Sequence, residues 1–151
     1  MTLVIIDFNR TIYDPETDDL MPGARELLEA FRTRGVKTVL VTRLEGNRLD
    51  LLQRFSIDHL FDDAVFVGGD KTPELFRRIM EKHDAKPSDT FVIGDHLHQE
   101  IRSGNQAGAY TIYFKQGEFS SLPQITEHDV ADVTIGNLLD ALTVITNTKL
   151  G

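Results

Sequence analysis

The sequence predicts an α/β sandwich, three layers deep, around a mostly parallel central sheet. Short apolar runs recur along the chain, amphipathic stretches alternate with them, and polar residues stand directly after several of the runs. Strand–helix–strand alternation of this length requires crossover connections, which make the strands parallel and put helices on both faces.

Leu3-Val4-Ile5-Ile6-Asp7 is an apolar run that ends in a carboxylate, the pattern of a buried parallel strand. Asn9 to Met21 is polar and turn-rich, with Asp14-Pro15 and Asp18-Asp19, and reads as an excursion beside the strand end. Pro22-Gly23 precedes a helix from Ala24 to Arg34, on whose inner face Leu27, Leu28 and Phe31 recur; Gly35 occupies the left-handed cap position. Val36 to Val41 is the second strand, followed by Thr42. Leu44, Leu49, Leu51, Leu52 and Phe55 predict a helix over Glu45 to Phe55. Ala64 to Val67 is a short third strand closed by Gly68-Gly69-Asp70. Thr72 to His83 is a helix with Thr72 as N-cap, Pro73 at its first position, and Leu75, Phe76 and Ile79 inward. Thr90 to Ile93 is the fourth strand, ended by Gly94-Asp95; Glu100 to Ala107 is a helix stopped by Gly108; Ala109 to Phe114 is the fifth strand. Residues 115 to 132 read as irregular, Val133 to Ile135 as a small sixth strand, and Leu138 to Ile145 as a last helix.

The 151 residues fit one domain, 1–151. Apolar content of 40% and charged content of 26% are those of a globular protein rather than a disordered one. A net charge of −8 opposes attraction to nucleic acid or anionic membranes, though a local site can still take a small phosphate. With no cysteine, disulfides, thiolate metal sites and a cysteine nucleophile are excluded. The first apolar run is too short for a leader or a membrane span and lacks a basic flank, so the expected location is cytoplasmic.

Asp7, Thr42, Lys71 and Asp95 all follow strands. Strand carboxyl ends share one rim of such a sheet, where ligands bind, so these four side chains can converge. Two carboxylates, an ammonium and a hydroxyl around one point suit a phosphate with a divalent cation, and Mg²⁺ takes hard oxygen ligands. Each residue has a plainer reading: Asp7 starting a turn, Thr42 closing a strand, Lys71 solvated, Asp95 capping a helix. His96 and His98 flank Asp95 but lack the recurring zinc spacings.

Four segments in order carry a resemblance: Asp7-Phe8-Asn9-Arg10-Thr11, Val39-Leu40-Val41-Thr42, Lys71-Thr72-Pro73-Glu74-Leu75-Phe76, and Gly94-Asp95-His96-Leu97-His98-Gln99-Glu100-Ile101. With Gly104 to Ile112 behind them, they resemble the four motifs of the haloacid dehalogenase superfamily, over most of residues 3 to 114. The resemblance implies a Rossmann-like core with strand order 5-4-1-2-3 and Asp7 on the central strand. It implies a phosphatase in which Asp7 attacks phosphorus and forms an aspartyl-phosphate, while Thr42 and Lys71 hold the phosphoryl oxygens. It implies Mg²⁺ held by Asp7, the backbone carbonyl of Asn9 and Asp95, with Glu100 as a further acid acting directly on these ligands or through water.

The chain departs from that pattern twice. Glu100 stands where the family has Asp, keeping the charge with a longer reach. Asn9 stands where the family has the Asp that protonates the leaving group and then activates water. An amide does neither, and general acid–base catalysis is worth roughly 10²–10⁴-fold. Two functions therefore compete: a weakened phosphohydrolase acting on a small-molecule or macromolecule-borne phosphate monoester, and a catalytically inactive binding or regulatory protein. A phosphoacceptor receiver domain is disfavoured, because its lysine follows the fifth strand rather than the third. The short spans between the first three strands leave little room for a cap domain. The resulting open site suits a bulky substrate or closure by self-association into a homo-oligomer.

Overall fold

A computed structural model describes residues 2–117 and 120–150. The strands, in chain order, are β1 (Leu3–Asp7), β2 (Tyr13–Asp14), β3 (Asp19–Leu20), β4 (Lys37–Arg43), β5 (Asp63–Val67), β6 (Thr90–Gly94), β7 (Tyr110–Phe114) and β8 (Val133–Ile135). Six of them form one sheet in the order β5-β4-β1-β6-β7-β8, and every pairing in it is parallel. This is the expected order with the sixth strand added beside the fifth. β2 and β3 pair as a small antiparallel hairpin inside the excursion after β1, and among the described residues no further domain is inserted there.

The helices are α1 (Ala24–Thr33), α2 (Arg48–Arg54), α3 (Pro73–Lys82), α4 (Arg102–Gln106) and α5 (Asp140–Ile145). Side chains alternate along each strand, and the core divides accordingly. Val4, Ile6, Leu40, Phe91, Ile93 and Ile112 pack with Leu27, Leu28 and Phe31 of α1, Leu51 and Leu52 of α2, and Ala141 and Ile145 of α5. Leu3, Ile5, Val39, Val41 and Val92 pack on the other face with Phe76, Ile79 and Met80 of α3. β1 is buried on both faces along its whole length, which is why it reads as a continuous apolar run rather than an alternating one.

Two helix ends form by the chemistry the sequence announces. Gly35 adopts φ +72°, the left-handed conformation that stops α1. Thr72 Oγ1 accepts from Leu75 N at 3.2 Å, with Pro73 at the next position, so α3 starts directly after Lys71. Several boundaries differ from expectation: the helix read from Glu100 is α4 from Arg102, and the last helix starts at Asp140 rather than Leu138. β4 runs on through Thr42 and Arg43, because β5 pairs with both, at Phe66 and Val67. α2 begins at Arg48 rather than Glu45, after Gly46 turns the chain at φ +49°; Leu44 and Leu49 are 71% and 56% exposed and take no part in the core. Among the described residues, no helix is long and apolar enough to cross a membrane.

Residues 125–129 are held by a buried acid. Asp129 accepts from Arg102 Nε at 2.6 Å and Nη2 at 2.9 Å, and from the backbone of Ile125 and Thr126 at 2.8 and 3.0 Å. The guanidinium of Arg102 leads the causes that hold this carboxyl far below its ordinary value of 3.8. A depressed folded-state value contributes stability above the unfolded value, and the contribution is lost as pH falls towards the folded one. Unfolding midpoints in urea are therefore expected to decline with acid below about pH 4. Asp129→Asn should lower the midpoint at pH 7 and flatten that decline.

Candidate active site

Asp7 closes β1, the central strand, and its neighbours supply the rest of the site. Arg10 takes φ +64°, and the chain wraps back so that Thr11, Ile12 and Tyr13 all donate to the carbonyl of Phe8, at 3.2, 2.8 and 3.0 Å. This tight coil fixes Asn9 at the rim and returns the Thr11 hydroxyl to Asp7, donating to Oδ2 at 3.3 Å. Thr42 arrives from β4, beside β1, and Asp95 follows β6 on the other side. Lys71 enters from the loop between β5 and α3. Its N–H donates to Gln99 Oε1 at 3.1 Å, and its carbonyl accepts from Ser103 Oγ at 2.6 Å.

Lys71 is buried, not solvated, and its ammonium donates to Asp7 Oδ1. Glu100 Oε2 lies 3.7 Å from the same ammonium. Burial works against the charge on Lys71, but Asp7, Glu100 and Asp95 together outweigh it and raise the lysine above its ordinary value. Glu100 is buried as well, not a solvated helix residue. A single wide turn, Leu97–Ile101 with π geometry, precedes α4 and carries Glu100 inward. It passes so close to β6 that a Cβ on Gly94 would lie 2.5 Å from Glu100 Oε1. Glycine there is a matter of close approach, since its φ is ordinary.

Asp7, Asp95 and Glu100 each place one oxygen within 4.8 Å of the others. Among the described residues, Asp95 Oδ2 and Glu100 Oε1 are buried with no hydrogen-bond partner. Burial first, then the charges of Asp7 and Glu100, push Asp95 up to about 9. Burial, then Asp7, pushes Glu100 up to about 8. Three carboxylates facing one ammonium, with orphaned oxygens, make a place that positive charge would stabilise. An all-oxygen donor set suits a hard divalent cation such as Mg²⁺. The residues present therefore fit the expected metal. The group contains no histidine: His96 lines the cleft, while His98 Nε2 turns to the carbonyl of Pro123 at 2.7 Å.

The cleft over these groups has a volume of about 290 Å³, and Asp7, Asn9, Thr42, Lys71 and Asp95 all line it. The structure thus brings every predicted site residue together. A larger hollow of about 530 Å³, beside Leu97, Tyr113 and Lys115, holds none of them. Sequence reasoning missed Gln99 and Ser103, which position Lys71. It also missed Arg43 and Arg48, which line the cleft. The available signal for the arginines was two cations within six residues of Thr42 in a strongly acidic chain.

A family model for haloacid dehalogenase-like hydrolases matches residues 2–108. The chain belongs to that family. Glyceraldehyde 3-phosphate phosphatase of Pyrococcus furiosus is 27% identical over 132 residues, 83% of this chain and 54% of that protein. Phosphoglycolate phosphatase of Vibrio vulnificus is 29% identical over 133 residues, 83% of this chain and 57% of that protein. The chain spans about half the length of these haloacid dehalogenase-like relatives. Among solved structures, the fold is shared with the HAD phosphatase from Thermococcus onnurineus, at TM-score 0.78 and 15% identity over 96% of this chain and 98% of that one. It is shared also with D,D-heptose 1.7-bisphosphate phosphatase from B. bronchiseptica, solved with magnesium and phosphate, at TM-score 0.74 and 16% identity over 97% and 99%.

Proposed function

We propose that the chain is a Mg²⁺-dependent phosphohydrolase that acts on a phosphate monoester through an aspartyl-phosphate on Asp7. The observation that carries this reading is the buried Asp7–Lys71 pair beside the unpartnered oxygens of Asp95 and Glu100, gathered on the rim where β1 and β6 end. Relatives bearing phosphatase names across 83% of the chain support the reaction class.

Asp7, the carbonyl of Asn9 and Asp95 would hold Mg²⁺, with Glu100 adjoining; the bound ion would neutralise phosphoryl charge. Lys71 fixes the Asp7 carboxylate and reduces repulsion as an anionic ester approaches. Thr11 holds the second carboxylate oxygen, so both lone-pair directions are set before substrate arrives. Asp7 bonds to phosphorus as the ester P–O bond breaks, and Thr42 and Lys71 receive the phosphoryl oxygens. The departing alkoxide must take its proton from water, since Asn9 has none to give. Water then attacks phosphorus, its proton going to the hydroxide left when the alkoxide was protonated; the acyl phosphate bond breaks, inorganic phosphate leaves and the Asp7 carboxylate is restored.

A second reading, a phosphate-binding protein without turnover, is favoured by Asn9 alone. Phosphate release from p-nitrophenyl phosphate with Mg²⁺, and its loss in EDTA, is the result expected of the enzyme. Calorimetry should show Asp95→Ala binding Mg²⁺ at least about tenfold more weakly, since losing even a residue that supports a ligand costs about that much. Equal affinity would remove Asp95 from the metal site. Tight Mg²⁺ binding with no release would favour the binding protein.

A further inference from the structure

We infer that Arg48, assisted by Arg43, is a specificity-determining residue that selects phosphate monoesters carrying a second anionic group. The inference rests on the phosphohydrolase reading and names the substrate class of the same cleft.

Arg48 and Arg43 stand on the cleft wall with Asn9, Thr42 and Lys71. The Arg48 side chain is only 15% exposed, and its guanidinium sits over the Phe8 ring at 5.8 Å. That face-on seat keeps the fork in place without using its hydrogen-bond donors. Among the described residues, Arg48 Nε is buried with no hydrogen-bond partner. The ion pair it makes is with Glu45 Oε2, at 3.8 Å from Nη2. The other oxygen of Glu45 faces Arg43 Nη1 at 3.8 Å, and Glu45 is 57% exposed. Both separations exceed the 2.7–2.9 Å of a charge-assisted hydrogen bond.

A half-buried guanidinium whose Nε is buried without a partner leaves a donor whose desolvation is not compensated. Glu45 is an exposed acid that spans the two arginines without bonding closely to either, and Arg43 Nη2 also faces Asp70 Oδ1 at 3.5 Å. A substrate carboxylate or phosphate can take the same place with paired N–H···O contacts, the geometry in which arginine recognises oxyanions. The transferred phosphoryl group is already provided for by Lys71, Thr42 and the metal ligands, so Arg48 is left for a second anion. Phe8 and the neighbouring Thr42–Glu45 segment hold that subsite next to the reacting centre.

The test compares phosphoglycolate with 2-hydroxyethyl phosphate, its neutral analogue, and with ethylene glycol bisphosphate. In the unaltered protein, kcat/KM should be at least tenfold higher for an anionic ester than for the neutral one; a preference for the first or for the last ester tells a carboxylate site from a phosphate site. Arg48→Met should collapse that preference to near unity, and Arg48→Lys should restore part of it. Glu45→Gln, at an exposed position, should increase the preference by removing the competing acid. Binding is read separately by calorimetry in Asp7→Asn, which stops turnover. Hydrolysis of all three esters at equal kcat/KM, or a preference that survives Arg48→Met, overturns the inference while leaving the phosphohydrolase reading intact. Absence of all hydrolysis overturns the latter, and calorimetry still decides the former: equal affinity for the acid and its neutral analogue refutes it.

Discussion

Asp7→Asn abolishes phosphate release from p-nitrophenyl phosphate, by about 10⁴-fold or more, while the protein stays folded. The size follows from the role: an amide oxygen does not form the acyl phosphate, and loss of the nucleophile in covalent catalysis removes the pathway rather than slowing it. The folded state should survive because the quartet is over-supplied with acid. Lys71 loses one partner but keeps Glu100 at 3.7 Å, and the mutual repulsion that raises Asp95 and Glu100 is relieved. Circular dichroism and a urea melt check the fold; trapping of acid-stable ³²P on the unaltered protein, and none on Asp7→Asn, checks the chemistry. Activity that persists with an intact fold would exclude Asp7 as the nucleophile.

The doubly buried first strand and the convergence of Asp7, Thr42, Lys71 and Asp95 were legible because each has a local cause, whereas the sheet order came only from the family resemblance. A doubly buried strand shows as unbroken apolar residues, a helix start shows as Thr72-Pro73, and a helix stop shows as Gly35. Parallel crossovers then place strand ends on one rim without further information. The start of α2 was not legible. Leu44 and Leu49 look like core residues, but apolar type does not enforce burial, and the turn at Gly46 decides where the helix begins. Nor was the burial of Glu100. It depends on the wide turn at 97–101, whose hydrogen-bond spacing leaves no periodic mark in five residues. Arg48 was hidden for a related reason. Its place over Phe8 joins residues forty apart in sequence, through a fold that had to be built first.

Asn9→Asp raises the rate for esters with poor leaving groups by about 10²–10⁴-fold, and for p-nitrophenyl phosphate by much less. The contrast is the informative part. An alkyl ester needs its departing oxygen protonated, whereas p-nitrophenolate leaves without help, so a restored acid acts on the first and scarcely on the second. The substitution is isosteric, and the backbone that positions residue 9 is fixed independently of its side chain, by the donors on the Phe8 carbonyl and by Arg10 N to Tyr13 O at 2.7 Å. The new carboxylate joins three others near one lysine, so the gain should require Mg²⁺ and vanish in EDTA. A gain of this size on top of measurable activity identifies an enzyme weakened at one position. The appearance of activity from none identifies a binding protein that retains the rest of the machinery. No gain with either ester, while Mg²⁺ still binds, would mean that another group already moves the proton, and would direct attention to His96 on the cleft wall.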